Sequence, residues 1–392
     1  MNTPFRTAPA EARDLRWLGF AAIAGIQIAF VAWVTAGPSD GLYQKILANG
    51  FMDVSAAIAT IFALLVAVRF RGTRLGIAWS FLLFGMALSV FAETSWSYQD
   101  LTRNEVPFPS VSDIGYAGAY LPVFLGLLLM PSAPTSGSGK LKLALDTLIL
   151  ISALLLVSWF IIIESILDSG DPALARALGV FYPFADLAVI FAAFVLVYRA
   201  AHTKSAHVLS LLAAGYTAFA LSDMAYAQLT EINYEAGSYI DIGWLAGYSL
   251  ISCAAIVRLD PAAAFQPYGG KPAAVAFWPS LLPYAAVAPL FALFIFHTSA
   301  GSIPFALAAG LLGVVSLVIV RQVVTIYENT RLNRELVELA ATLEYRVKDQ
   351  TMQLLRRRRS PNGEDGEDGD AAGGRPSGAD DCVSGLPALP RE

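Results

Sequence analysis

Apolar residues run through the chain in long blocks, with polar residues gathered in the short intervals between them. Ten blocks approach the length of about 20 residues that a helix needs to cross a hydrocarbon core. They lie at roughly 17–36, 50–68, 75–96, 114–131, 143–166, 178–198, 208–229, 242–257, 276–296 and 304–326. The pattern predicts an all-α integral membrane protein with ten transmembrane helices. The first block is too long for a secretion-signal core and lacks a cleavage site, so it reads as a retained span. Beyond the tenth block the period changes. Leu332, Leu336, Leu339, Leu343, Val347, Gln350 or Thr351, and Leu354 recur at spacings of three and four. This is a coiled-coil seam with a stutter near Val347, flanked by Arg334, Glu335, Glu338, Glu344, Arg346 and Lys348. It predicts a homodimer through residues 327–354. A short amphipathic helix lying on the membrane or on its own bundle is the plainer alternative.

The polar positions inside the blocks repeat. Asp113-Ile114-Gly115-Tyr116-Ala117-Gly118-Ala119-Tyr120 returns as Asp241-Ile242-Gly243-Trp244-Leu245-Ala246-Gly247-Tyr248. Glu93 with Trp96 returns as Asp223 with Tyr226. Asp53 and Asp186 each open an apolar run that closes on Arg69 or Arg199. The offsets are 133, 130 and 128 residues, so the register drifts only by small loop differences. A fixed long period of this kind predicts a duplicated four-helix unit, with helices 1–4 and 5–8 as parallel copies about an axis along the membrane normal. The ninth and tenth helices stand outside the repeat as scaffolding. The segments are then a cytoplasmic N-terminus at 1–16, membrane repeats at 17–131 and 143–257, and helices 9 and 10 at 276–326. A cytoplasmic coiled-coil helix at 327–359 and a disordered acidic tail at 360–392 follow.

Composition supports the membrane assignment. Hydrophobic residues are 56%, charged residues 15%, and the mean hydropathy is +0.58. With the N-terminus inside, twelve basic residues before the last helix fall on the cytoplasmic side, against Lys45, Arg103 and Arg176 opposite. That bias predicts both termini in the cytoplasm. The net charge of −5 is set by the acidic tail and points to no nucleic-acid partner. Cys253 and Cys382 are the only cysteines, so neither a disulfide framework nor a Cys/His metal spacing exists. Walker, dinucleotide-binding, zinc-protease and nucleophile-elbow signatures are missing. His202, His207 and His297 are scattered and receive no site.

The acids carry the functional reading, because an ionisable group in a span is expensive and needs a partner. Asp53, Glu93, Asp113, Glu164, Asp186, Asp223 and Asp241 gather toward the outer boundary. Their available partners are Lys45, Arg103, Arg176, one another through shared protons, or an outside cation. Asp113 and Asp241 follow serine-containing turns and equally suit helix capping. Asp186, after Tyr182-Pro183, suits a first helical turn. Glu93 and Asp223 fall at predicted helix ends, where the helix dipole disfavours an acid, which capping does not explain. Asp146 reads as a local ion pair with Lys140 and Lys142. Trp96, Tyr116, Tyr226 and Trp244 suit an interfacial aromatic belt, but their fixed offset from the acids also suits the wall of a site. The candidate ligand-binding set is Asp53, Glu93, Trp96, Asp113, Tyr116, Asp186, Asp223, Tyr226, Asp241 and Trp244, with a small cationic or amphipathic ligand. No metal or cofactor is identified.

Several short motifs resemble one family. Pro107-Phe108-Pro109-Ser110-Val111-Ser112-Asp113-Ile114-Gly115-Tyr116 resembles the P-x-P-S-x-A-D-x-x-Y stretch in multi-span input regions of bacterial diguanylate cyclases, with Ser112 in place of alanine. Tyr182-Pro183-Phe184-Ala185-Asp186 and Asp241-Ile242-Gly243-Trp244 look like later landmarks of such regions, so the resemblance covers about residues 50–257. Leu343-Glu344-Tyr345-Arg346-Val347-Lys348-Asp349-Gln350-Thr351 is similar to the linker before their output domains, with Gln350 for an arginine. Asp381-Cys382-Val383-Ser384-Gly385-Leu386-Pro387 resembles the opening of a GGDEF cyclase domain, of which no more is present. The resemblance implies a sensor region of cyclic-di-GMP signalling that binds and transmits without catalysing. A proton- or cation-coupled secondary transporter built from parallel repeats is the alternative.

Overall fold

A computed structural model describes residues 10–37, 41–103, 106–131, 137–200, 206–229, 234–259, 281–299, 301 and 303–359. The tail at 360–392, most of segment 1–16 and the start of the ninth apolar block lie outside the described residues. The elements in chain order are α1 (Ala10–Thr35), α2 (Leu42–Arg69), α3 (Arg74–Arg103), α4 (Ser112–Leu129) and α5 (Gly137–Ser158). A π turn at Trp159–Ile163 then leads into α6 (Glu164–Asp168), and α7 (Ala173–Ala200), α8 (Ala206–Leu229), α9 (Asp241–Arg258), α10 (Leu282–Ser299) and α11 (Phe305–Arg359) follow. No strand occurs among the described residues. Among the described residues, eight helical stretches are long and apolar enough to cross a membrane, and Tyr284–Ser299 is a shorter apolar helix. The chain is an all-α membrane protein.

Six helices close a ring. α2 packs on α3, α3 on α4, α4 on α7, α7 on α8, α8 on α9, and α9 returns to α2. The sequence counterparts α2 and α7, α3 and α8, α4 and α9 therefore stand opposite one another in the circuit. α1 packs outside on α9, whereas α5 packs outside on α7 and carries α10. The first helices of the expected four-helix units thus occupy non-equivalent places, and the correspondence in packing covers three helices per arm.

Small residues draw the ring helices together, as they do where lipid-solvated helices associate by close packing. A Cβ on Gly115 would lie 2.6 Å from the Leu88 carbonyl oxygen, and one on Gly85 2.6 Å from Val123. In the other arm a Cβ on Gly243 would meet Ser222, and one on Gly215 would come within 3.0 Å of the Gly247 carbonyl oxygen. The half of the ring toward Arg69, Arg74 and Arg258 is solid, filled by fully buried Trp79, Leu82, Leu127, Leu212 and Ile251. The other half is hollow.

Outside the ring, Leu307, Leu311 and Val314 of α11 pack with Ile149 and Ala153 of α5 and Leu290 of α10. Asp146 is fully buried here and pairs with Arg321, at 2.8 Å to Nε and 3.3 Å to Nη2. The Arg321 guanidinium also lies 5.4 Å over the Tyr284 ring, and Lys142 pairs with Glu328. Asp146 is therefore no local partner of Lys140 and Lys142; its counter-ion comes from 175 residues away. Contacts divide the chain after Glu328. In the second unit Leu332, Leu336, Leu339, Leu343, Val347 and Leu354 are helical and exposed.

Candidate acidic and aromatic cavity

Each ring helix offers one stripe to the hollow half. On α3 it is Met86, Ser89, Glu93 and Trp96; on α8 it is Tyr216, Phe219, Asp223 and Tyr226. These steps of three and four keep side chains on one helical face. α4 adds Asp113, Tyr116 and Tyr120, α7 adds Tyr182 and Asp186, and α9 adds Asp241, Trp244 and Tyr248. Together they enclose a cavity of about 440 Å³. Nine of the ten expected site residues line it: Glu93, Trp96, Asp113, Tyr116, Asp186, Asp223, Tyr226, Asp241 and Trp244. Asp53 does not. It sits half-buried beside Ser97 on the α2–α3 side, its Oδ1 without a hydrogen bond.

The acids lie deeper than the apolar pattern suggested. Glu93 and Asp223 do not end their helices: α3 continues to Arg103 and α8 to Leu229. At 1.5 Å per residue, Glu93 is about 15 Å from the end of α3. The helix dipole acts within the last turn, so it is not what opposes these acids; burial is. Asp186 is likewise interior, because α7 begins at Ala173 and runs through Pro183. Asp53 lies about three turns inside α2.

Their partners are aromatic donors, not cations. Tyr248 donates to Glu93 at 2.8 Å, and its counterpart Tyr120 approaches Asp223 at 3.1 Å. Each of these bonds crosses from one arm to the acid of the other. Within the arms, Tyr116 donates to Glu93, and Trp244 Nε1 donates to Asp223 at 2.8 Å. Tyr120 also lies 2.6 Å from Asp186, an acid buried with 2% exposure. Lys45, expected as a partner of these acids, instead pairs with Asp100 at 2.7 Å. Arg176 reaches the Leu167 carbonyl.

Asp113 and Asp241 share a different arrangement. One oxygen of each accepts an upstream backbone N–H, from Ser110 or Gly237, both at 2.6 Å. The other accepts a phenol, Tyr182 at 2.6 Å or Tyr234 at 2.7 Å. Neither side chain caps a free amide of its own helix; each ties the preceding turn to it. Gly237 adopts φ 94°, which opens that turn, and Gln44 of α2 holds the Ala236 carbonyl at 2.9 Å. Tyr234, in the same loop, is kept firmly protonated by burial and by Asp241 beside it.

Above the acids the rings touch. Trp96 meets its counterpart Tyr226 edge-on at 6.2 Å, and Tyr226 meets Tyr234 at 4.9 Å and Trp244 at 5.6 Å. The aromatics are thus cavity wall as well as helix-end residues. Six acids and no Lys, Arg or His line the cavity among the described residues. Such a lining is complementary to a positive charge with hydrogen-bond donors. No grouping able to hold a metal ion occurs among the described residues.

Reasoning from acid positions missed Tyr120, Tyr248, Tyr182, Tyr234 and Tyr216. The signal for the first two was present, since they close the two octapeptides at the same 128-residue offset. Tyr182, Tyr216 and Tyr234 have no tyrosine at the matching position of the other arm, so only the packing brings them in. No protein-family profile, curated protein or solved structure matches the chain.

Proposed function

We propose that the chain is a membrane-embedded sensory module that binds a small cationic or amphipathic ligand in this cavity. The observation that carries the reading is convergence. Five of the six paired acids, drawn from two sequence-related arms, line a single space that holds no basic side chain. The arms are copies of a duplicated unit whose acids serve one ligand. α9 and α10 complete ten spans, the bias of basic residues favours a cavity mouth outside and both termini in the cytoplasm, and the resemblance to bacterial input regions implies a bacterial inner membrane. Binding alters the seam between the arms, and α11 carries the response to residues 327–354, which pair with a second copy. The resemblance to diguanylate cyclase input regions fits a module of this kind, which transmits and does not catalyse.

The test joins a reporter output domain to the chain after Arg359. Glu93→Gln and Asp223→Asn should each abolish or lock the response while the protein still folds. An unchanged response in both variants would end the proposal. Topology is checked by cysteine labelling, with Thr102 and the exposed Tyr239 position reacting from outside and Gly137 protected. The depth of Glu93 and Asp186 gives a cation-coupled transporter its own support, since coupling sites lie within the bilayer. Cation flux in proteoliposomes carrying the purified chain would favour that reading over the sensor.

A further inference from the structure

The cavity is layered. Along α8, Asp223 and Tyr216 are seven residues apart, about 10 Å along the axis. Between them the lining turns mainly apolar, with Phe219, Met86, Val123 and Val189. Two hydroxyls interrupt this floor, and one of them, on Ser89, already donates to the Gly85 carbonyl at 3.2 Å. Tyr216 is 3% exposed and lines the cavity, and its Oη has no hydrogen-bond partner among the described residues. Five other phenols of the site reach a carboxylate: Tyr116, Tyr120, Tyr182, Tyr234 and Tyr248. A buried hydroxyl without a partner is costly, so a ligand that supplies one gains by it.

We propose that the ligand is an amphiphilic amine with a hydroxyl at its far end. The ammonium sits between Glu93 and Asp223, the apolar body lies along Met86 and Phe219, and the distal hydroxyl bonds Tyr216 Oη. The inference rests on the acid layer being a cation site. A compact inorganic cation or a short amine leaves the floor empty. A two-headed diamine drives a second charge into a layer that contains no acid, which burial opposes.

The experiment measures binding of radiolabelled tyramine to the purified full chain in detergent, with phenethylamine, 1,6-diaminohexane and methylamine as competitors. Tyramine should bind about two- to tenfold more tightly than phenethylamine, the gain of one buried hydrogen bond. Tyr216→Phe should erase that difference and leave phenethylamine affinity unchanged, which also shows that the variant is folded. Equal affinity of the two arylamines for the unaltered chain overturns the inference, as does a preference that survives Tyr216→Phe. Diaminohexane or methylamine binding as tightly as tyramine overturns it too. Binding of phenethylamine without a hydroxyl preference removes this inference alone, whereas failure of every amine to bind removes the cation site with it.

Discussion

A carboxylate inside a membrane helix is held by the donors its neighbours offer, and here those donors are phenols and an indole. Glu93 receives a phenol from each arm, whereas Asp223 receives the Trp244 indole and is approached by Tyr120, whose single hydroxyl lies closer to Asp186. Glu93→Gln and Asp223→Asn keep the shape and the acceptor oxygen while removing the charge. Each should leave thermal stability within about 1 kcal/mol, because a neutral amide still accepts a phenol. Each should weaken amine binding at least about tenfold, the scale of a hydrogen bond to a charged group. Asp146 and Arg321 behave differently, since the two form a buried ion pair. Asp146→Asn or Arg321→Met should cost about 3–5 kcal/mol, and the double variant Asp146→Leu/Arg321→Met should recover most of it. Thermal unfolding in detergent reads both. The acids were legible in the sequence because charge in an apolar block stands out. Their donors were not, because tyrosine is ordinary at a membrane boundary and Tyr248 meets Glu93 only once the ring has closed.

At the scale of the helix, apolar length located the eight stretches able to cross a membrane, but helix ends were misplaced where polar residues continue a helix beyond the apolar run. Ser95, Ser97, Tyr98, Gln99 and Asp100 extend α3 to Arg103, since Asn49 and Lys45 of α2 satisfy Asp100 and keep the last turns packed. Asp186 after Pro183 reads as a first-turn residue, yet α7 begins at Ala173 and runs through the proline. The ring removes only one helical donor, and packing compensates. The helix crossings give a prediction that separates the arms. In Gly115→Ala the new methyl meets the backbone oxygen of Leu88, which cannot move without moving α3. In Gly243→Ala it meets the Ser222 hydroxyl, which can rotate away. Gly115→Ala should therefore destabilise by about 1–3 kcal/mol and Gly243→Ala by less, measured by thermal unfolding.

At the scale of the molecule, the 128- to 133-residue offsets made the correspondence of the two arms visible, but not how many helices it covers. The ring puts α2, α3 and α4 opposite α7, α8 and α9, while α1 and α5 attach at unrelated places. No acid marks either of those helices in register with the other, so the sequence had no signal to separate them. The leucines of 332–354 are exposed, and their spacing suits the proposed pairing with a second copy. Leu336→Glu/Leu343→Glu should convert a dimer to a monomer in light scattering of the detergent-solubilised chain, with the membrane bundle intact. The central claim is that acids from both arms hold one ligand. Equilibrium dialysis of phenethylamine against the purified chain tests it most directly, repeated with Glu93→Gln and with Asp223→Asn. The account predicts one amine per chain, lost or strongly weakened in either variant. Two amines per chain, each removed by a different variant, or binding undiminished in both, would contradict it.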